Sequence, residues 1–332
     1  MSINIYGNEE PVRLVTEMIR KEREPHSIII HGDKGLGKKT FAKYIAAALM
    51  CEAHTGVPCG KCKSCKMMED GCHPDYMVAG ANDKGNYKVD DIREIVSDSV
   101  VKPNENSIKV YVIPDLDMSV STLIQVQNTL LKLIEEPPEH TAVILTARSK
   151  EIFLPTIISR ALCLGMVSVK DSQSMNFLRD NFEDKSEREL SEACYAGRGN
   201  IGRCVEYLEH GQFFSAVLNA RKIASAAAEG SEYGILKAFA ECDGKKPVFR
   251  ESVFLFSEIV RDACVCRLGN SQSEMSVSCD RELAAKLSGR ISSSNAVKLY
   301  DILCDYIGRI DANCNLTLTA NSLAGQIGQC CK

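Results

Sequence analysis

Two groups of residues in this chain have the types and spacing to do chemistry. The first is the run Gly32-Asp33-Lys34-Gly35-Leu36-Gly37-Lys38-Lys39-Thr40, which follows the apolar stretch Ile28-Ile29-Ile30 and precedes a helical FAKYIAAALM. This is GxxxxGK spacing between a strand and a helix. Its glycines let backbone N–H groups curl around phosphate oxygens, the helix N-terminus adds positive potential, and Lys38 supplies a mobile charge. The expected nucleotide pocket is therefore Gly32, Gly35, Gly37, Lys38, Lys39 and Thr40. After the lysine such a loop normally carries Ser or Thr to hold magnesium, and here that position is Lys39. Thr40 is no replacement, because one step along a helix turns the side chain by about 100°.

A second acidic element belongs at the end of a later strand, where an Asp-Glu pair orients metal and water. The candidate strand ends Tyr111-Val112-Ile113-Pro114-Asp115-Leu116-Asp117. Aligned on the strand end, Pro114 stands at the metal-holding acid and Asp115 at the catalytic one. Shifted by one, Asp115 gains Leu116 as its partner. Neither register restores the pair, so the sequence predicts that this chain does not hydrolyse nucleotide, and Asp115 and Asp117 read as a solvated turn.

The second group is Cys51, Cys59, Cys62 and Cys65. Linked CxxC steps put three thiolates on one turn, Gly60 eases the backbone, and Cys51 closes a tetrahedron at the end of the preceding helix. Four cysteines leave no open position, so the expected ion is a structural Zn2+. Cys72 and His73 lie close enough to compete with Cys51, although His73-Pro74-Asp75 reads as a turn.

The elements that must position these groups follow from periodicity. Over residues 1–165, short apolar runs at Ser27–His31, Lys109–Ile113 and 142–146 alternate with helical patterns, the signature of an α/β core with a parallel sheet. After Arg160 the strand signals stop. Residues 171–181, 186–196 and 201–209 read as three short helices, the last capped by Asn200, forming a small lid domain over 166–210. From 211 to 332 only helical spacing appears, at 213–228, 248–267, 281–287 and 294–310, with polar loops at 243–246 and 269–278.

Composition sets outer limits. The 332 residues exceed one ordinary core. No apolar run approaches the roughly 20 residues of a membrane span, and MSINIYGNEE lacks a secretory pattern, so a cytoplasmic, reducing location is expected. There, 16 cysteines read as metal ligands or small buried hydrophobes rather than disulfides. Lys+Arg 40 against Asp+Glu 44 gives a net charge of -4 and no global footprint for nucleic acid.

Taken in order, the motifs resemble one family, the clamp-loader subunits of bacterial DNA polymerase III, and among them the delta-prime type related to gamma/tau. The matching residues are Pro25-His26-Ser27, the phosphate loop, the four-cysteine insert and Gly71-Cys72-His73-Pro74-Asp75. They continue through Val89-Asp90-Asp91-Ile92-Arg93, Asn128-Thr129-Leu130-Leu131-Lys132, Glu135-Glu136-Pro137-Pro138 and Leu154-Pro155-Thr156-Ile157-Ile158-Ser159-Arg160. Asn313-Cys314-Asn315-Leu316-Thr317-Leu318 is similar to the family's closing helix.

The resemblance implies an AAA+ P-loop core with a zinc module at about 51–65, a helical lid and an all-helical collar. It implies a hetero-pentameric ring with gamma/tau-like and delta-like subunits, which uses ATP to load a sliding clamp onto primed DNA. The family's Ser-Arg-Cys motif appears as Ser159-Arg160-Ala161, making Arg160 an arginine finger offered to a neighbouring ATPase subunit. Thr146 falls near the sensor 1 position, and Arg203, within Gly199-Asn200-Ile201-Gly202-Arg203, matches sensor 2. GKK and Pro-Asp resemble the delta-prime pattern, in which ATP is held, if at all, without hydrolysis. Two rival readings are an active gamma/tau-like ATPase motor and a stand-alone zinc-dependent nucleic-acid-binding protein. Lys39 and Pro114 argue against the first, and the charge of -4 against the second.

Overall fold

Ile28, Ile29 and Ile30 can all be apolar only in a strand covered on both faces, and that is how the first unit is built. The computed structural model describes residues 4–80, 87–118, 121–242, 244–267 and 278–331. Within these, contacts divide the chain into two compact units, 1–173 and 174–332.

The first unit runs α1 (Glu9–Arg20), β1 (Ser27–His31), α2 (Lys38–Leu49), α3 (Lys63–Asp70), β2 (Tyr76–Val78), α4 (Val89–Asp98), β3 (Lys109–Ile113), α5 (Leu123–Glu135), β4 (Thr141–Ala147), α6 (Pro155–Ile158) and β5 (Leu162–Gly165). The five strands form one parallel sheet in the order β2-β3-β4-β1-β5. Its residues alternate between two cores. Ile28, Ile30, Val110, Val112, Ala142 and Ile144 pack with α1 and α2, while Ile29, Tyr111, Ile113, Val143 and Leu145 pack with α4 and α5. This is the expected α/β core with a parallel sheet. Two strands depart from the sequence reading. β2, Tyr76-Met77-Val78, lies outside the expected strands, and β5 lies beyond Arg160, where strand signals were expected to have stopped; both are short edge strands, paired on one side only.

The second unit is helical: α7 (Asp171–Asn181), in which the division falls, then α8 (Glu187–Gly197), α9 (Ile201–Leu208), α10 (Gln212–Glu229), α11 (Glu232–Ala240), α12 (Lys246–Arg267), α13 (Arg281–Arg290), α14 (Ser293–Asp311) and α15 (Leu316–Cys330). Side-chain caps start several of them. Ser186 and Glu189 form a capping box, and Asn200, Ser231, Asp280, Ser292 and Asn315 each accept from a backbone N–H in the first turn. One continuous apolar core joins Leu190 and Cys204 to Phe256, Leu299 and Ile327. Of the expected loops, residue 243 and residues 269–277 lie outside the described residues. All 16 cysteines are unpaired thiols, and Cys194, Cys204, Cys242, Cys279, Cys330 and Cys331 are buried as small hydrophobes. No helix among the described residues is long and apolar enough to cross a membrane.

Candidate nucleotide site and cysteine cluster

β1 lies between β4 and β5, so the loop leaving its C-terminal end emerges where ligands bind in open parallel sheets. The Gly32 N–H is shared between the Ala147 and Arg148 carbonyls at 3.2 and 3.1 Å. A Cβ at Gly32 would stand 2.5 Å from the Met166 carbonyl oxygen, and its φ of 147° lies where side chains are strained. Gly37, with φ 81°, is the N-cap of α2. Lys38 is only 6% exposed, and its ammonium donates to the Gly32 and Asp33 carbonyls at 2.7 and 2.9 Å. Burial pushes its pKa down, opposed by Asp115 and Asp117. The first turn of α2 holds Lys38 and Lys39 and no acid. Positive charge there opposes the helix dipole and is relieved by an anion.

Lys39 is not idle at the metal position. Its ammonium lies 2.7 Å from the Asp115 carboxylate, with the two side chains 65% and 38% exposed. An ion pair so exposed adds at most about 1 kcal/mol to stability, so its significance is where it puts charge. Asp115 adopts φ 51°, and its N–H donates to the Thr146 hydroxyl at 2.8 Å. The structure thus gathers Lys38, Lys39, Asp115 and Thr146 around one strand end. Thr40 is exposed. Asp115, 38% exposed and paired, keeps the solvated turn expected of it; the reading is corrected for Asp117, 13% exposed, which meets the Arg148 guanidinium at 3.3 Å and accepts from its backbone N–H at 3.1 Å. A cleft of about 500 Å3 is lined by Asn8, Pro11, Leu14, Gly165, Val167 and Lys170 among others, and by no residue of the phosphate loop.

The Arg160 guanidinium, 45% exposed, lies 3.5 Å from Glu135 and donates to the Thr156 carbonyl and Ser159 hydroxyl at 3.1 and 3.2 Å. Arg203, in the second unit, reaches Glu251 at 2.6 Å and sits 5.1 Å over the Phe213 ring.

The sulfur atoms of Cys51, Cys59, Cys62 and Cys65 all lie within 4.8 Å of one another, and Cys59 and Cys65 are 4.0 Å apart. Zinc at about 2.3 Å from each sulfur would set them roughly 3.8 Å apart, so the donor set fits a tetrahedral ion. Backbone N–H groups already point at the sulfurs: Cys59 to Cys51 at 3.4 Å, Cys62 to Cys59 at 3.4 Å and Cys65 to Cys62 at 3.3 Å. The N–H groups of Lys61 and Cys62 pull the Cys59 thiol down to about 6. Cys72 is exposed and outside the cluster. His73 is engaged elsewhere, with Nε2 3.0 Å from the Ser64 hydroxyl and Nδ1 accepting from the Asp75 N–H at 3.1 Å.

That histidine belongs to a network invisible in the sequence, which fastens the cysteine module to the core. Asp75, 2% exposed, accepts from the N–H groups of Asn104, Glu105 and Asn106 at 2.7, 2.8 and 2.9 Å. Asn106 in turn donates to the Met50 carbonyl at 2.7 Å and the Ser64 hydroxyl at 3.1 Å. Burial pushes the Asp75 pKa up, but these N–H groups outweigh it and hold the carboxyl below its usual value. A depressed folded pKa contributes stability that is present above the ordinary carboxylate range and lost as pH falls through the folded value. Asp75→Ala is expected to cost about 3 kcal/mol at neutral pH, since it orphans several donors. The difference should shrink below about pH 4, and urea unfolding of both proteins at the two pH values checks it.

Residues 7–170 match the family model described as DNA polymerase III, delta subunit. The chain is 31% identical over 219 residues to DNA polymerase III subunit gamma of Buchnera aphidicola subsp. Schizaphis graminum, covering 64% of this chain and 58% of that protein. It is 28% identical over 174 residues to DNA polymerase III subunit delta' of Pseudomonas aeruginosa, covering 52% of each. The chain thus spans less than two thirds of the length of these relatives. Among solved structures, a DNA polymerase III gamma subunit-related protein of Thermotoga maritima aligns over 97% of this chain and 100% of its own, at 15% identity and a TM-score of 0.46. The family model and the curated relatives thus agree over residues 7–170, just under half of the chain, where it is similar to the delta, delta' and gamma subunits of DNA polymerase III.

Proposed function

We propose that this chain is a delta-prime-like subunit of the clamp loader that does not hydrolyse ATP. In this reading it takes a place in a hetero-pentameric ring with gamma/tau-like and delta-like subunits, and helps ATP-driven loading of a sliding clamp onto primed DNA. The observation that carries the reading is the Lys39–Asp115 ion pair, with Pro114 beside it, where a hydrolysing site needs a hydroxyl and two acids around a metal ion. Arg160 serves the neighbouring subunit, and the cytoplasm is its setting. The organisation that goes with this role is a core over 1–165, a lid over 166–210 and a collar over 211–332.

Two of the assigned roles take a different weight from their surroundings. Thr146, as a sensor, acts through the backbone of Asp115, whose N–H its hydroxyl accepts. Arg203, tied to Glu251, would have to exchange that partner to reach a phosphate.

The cysteine cluster holds one structural zinc through Cys51, Cys59, Cys62 and Cys65, supported by the donor set and its spacing. The gamma/tau-like motor is the second reading, favoured by the gamma relative and opposed by Lys39 and Pro114.

Steady-state ATPase separates the two. The purified full chain should show no turnover above its Lys38→Ala variant. Turnover that Lys38→Ala abolishes would establish the motor and sink the non-hydrolysing reading.

A further inference from the structure

We propose that the phosphate loop takes a nucleoside polyphosphate without a divalent cation, the Lys39 ammonium standing where a metal ion would sit. This rests on the reading of a retained, non-hydrolysing pocket and adds the ionic form of its ligand.

The loop keeps the features that bind phosphate. Gly32, Gly35 and Gly37 have φ of 147°, 90° and 81°, so the loop keeps the backbone conformations that favour glycine, although the Gly32 N–H is itself held by the Ala147 and Arg148 carbonyls. Lys38 is buried beneath the loop, held on its carbonyls. The residues around the metal position do not fit magnesium, a hard cation that demands oxygen ligands. In place of a hydroxyl stands an ammonium, which repels a cation and has no lone pair to give. The strand-end acid is Pro114, and the carboxylate next to it is already 2.7 Å from Lys39.

Charge accounts for the rest. A polyphosphate brought to this strand end meets Asp115, and in a hydrolysing site the repulsion is relieved by the dication between them. Here Lys39 lies against the carboxylate, and an ammonium has three donors, so after Asp115 it keeps others for phosphate oxygens. The Asp115 backbone is held by the Thr146 hydroxyl, which keeps the carboxylate's point of attachment at this strand end. The first turn of α2 has no acid of its own, so Lys38 adds positive charge there and Lys39, paired with Asp115, adds donors beside it. The charges at the metal position therefore favour an anion over a dication.

The test is calorimetric titration of the full chain with ATP, once in excess EDTA and once in excess magnesium. The wild-type dissociation constants should agree within about twofold. Lys39→Thr, at an exposed position, should bind about tenfold or more tightly with magnesium than in EDTA, while Lys39→Arg should stay metal-independent. Circular dichroism checks that both variants are folded. Wild-type binding that tightens about tenfold or more with magnesium would overturn the proposal and leave the retained pocket standing. Absence of ATP binding in both buffers would overturn the retained pocket and this proposal together.

Discussion

Cys62→Ser combined with Cys65→Ser is expected to release one zinc per chain and to unfold the module around residues 51–70 while the parallel sheet survives. The reason is that α3, apart from the buried Met68 and the Ser64 hydrogen bonds, has little of its own to hold it. At eight residues it is far shorter than a helix that is stable by itself, and its N-cap is a sulfur, Cys62, accepting from the Cys65 N–H. No acid lies in its first turn. The loop before it contains Gly56 and Gly60 at positive φ, conformations a free chain leaves readily. Binding free energies for four-ligand zinc modules run to about 10 kcal/mol or more, so the metal outweighs every other local contact. The damage should stop at the Ser64–His73–Asp75–Asn106 network, because Asp75 and Asn106 are anchored to the core independently of the sulfurs. Metal analysis and limited proteolysis read the two halves of the expectation. A folded wild-type protein without zinc, or a double variant that keeps its zinc, would remove the assignment.

The same contrast between local and distant determinants explains what could be read from the chain. The phosphate loop was legible because strand, glycines, lysine and helix are contiguous. The cysteine ligands were legible because they fall within 15 residues, 51 to 65. β1, β3 and β4, fully buried, announce themselves as apolar runs. β2 and β5 carry apolar residues too, Tyr76-Met77-Val78 and Leu162-Cys163-Leu164, but with three and four residues and one neighbour each they are too short to stand out from the patterns around them. Helix α11 escaped notice for a related reason: Gly234 interrupts its pattern and Tyr233 is exposed, so its place is set by packing rather than periodicity. Lys39 and Asp115 were each noticed as defects, but only the fold shows that they compensate one another. Asp117 looked solvated because Arg148, its partner, is on another strand's end.

In a properly assembled ring, Arg160→Ala is expected to slow ATP cleavage at the adjoining site of the neighbouring subunit by about a thousandfold or more, the usual worth of an arginine finger. The geometry suits the proposed role. Pro155 opens α6 at its first position, the helix lasts only to Ile158, and the arginine follows just past its end. Its present partners are weak ones: a carboxylate at 3.5 Å, itself 41% exposed, and local oxygens at 3.1 and 3.2 Å. Exposed pairs of this kind contribute about 1 kcal/mol at most, so the guanidinium can leave Glu135 for a neighbour's phosphate at little cost. Arg160→Lys should recover only part of the rate, because the ammonium keeps the charge and loses the planar fork that grips two oxygens. A helix-end arginine that merely complements the dipole would give a different result: a small loss of stability in both variants and no change in ATPase. Single-turnover cleavage by reconstituted rings, with assembly checked by gel filtration, distinguishes the two. Unchanged cleavage and clamp loading in an intact Arg160→Ala ring would make Arg160 a surface charge and leave the neighbour's site complete without it.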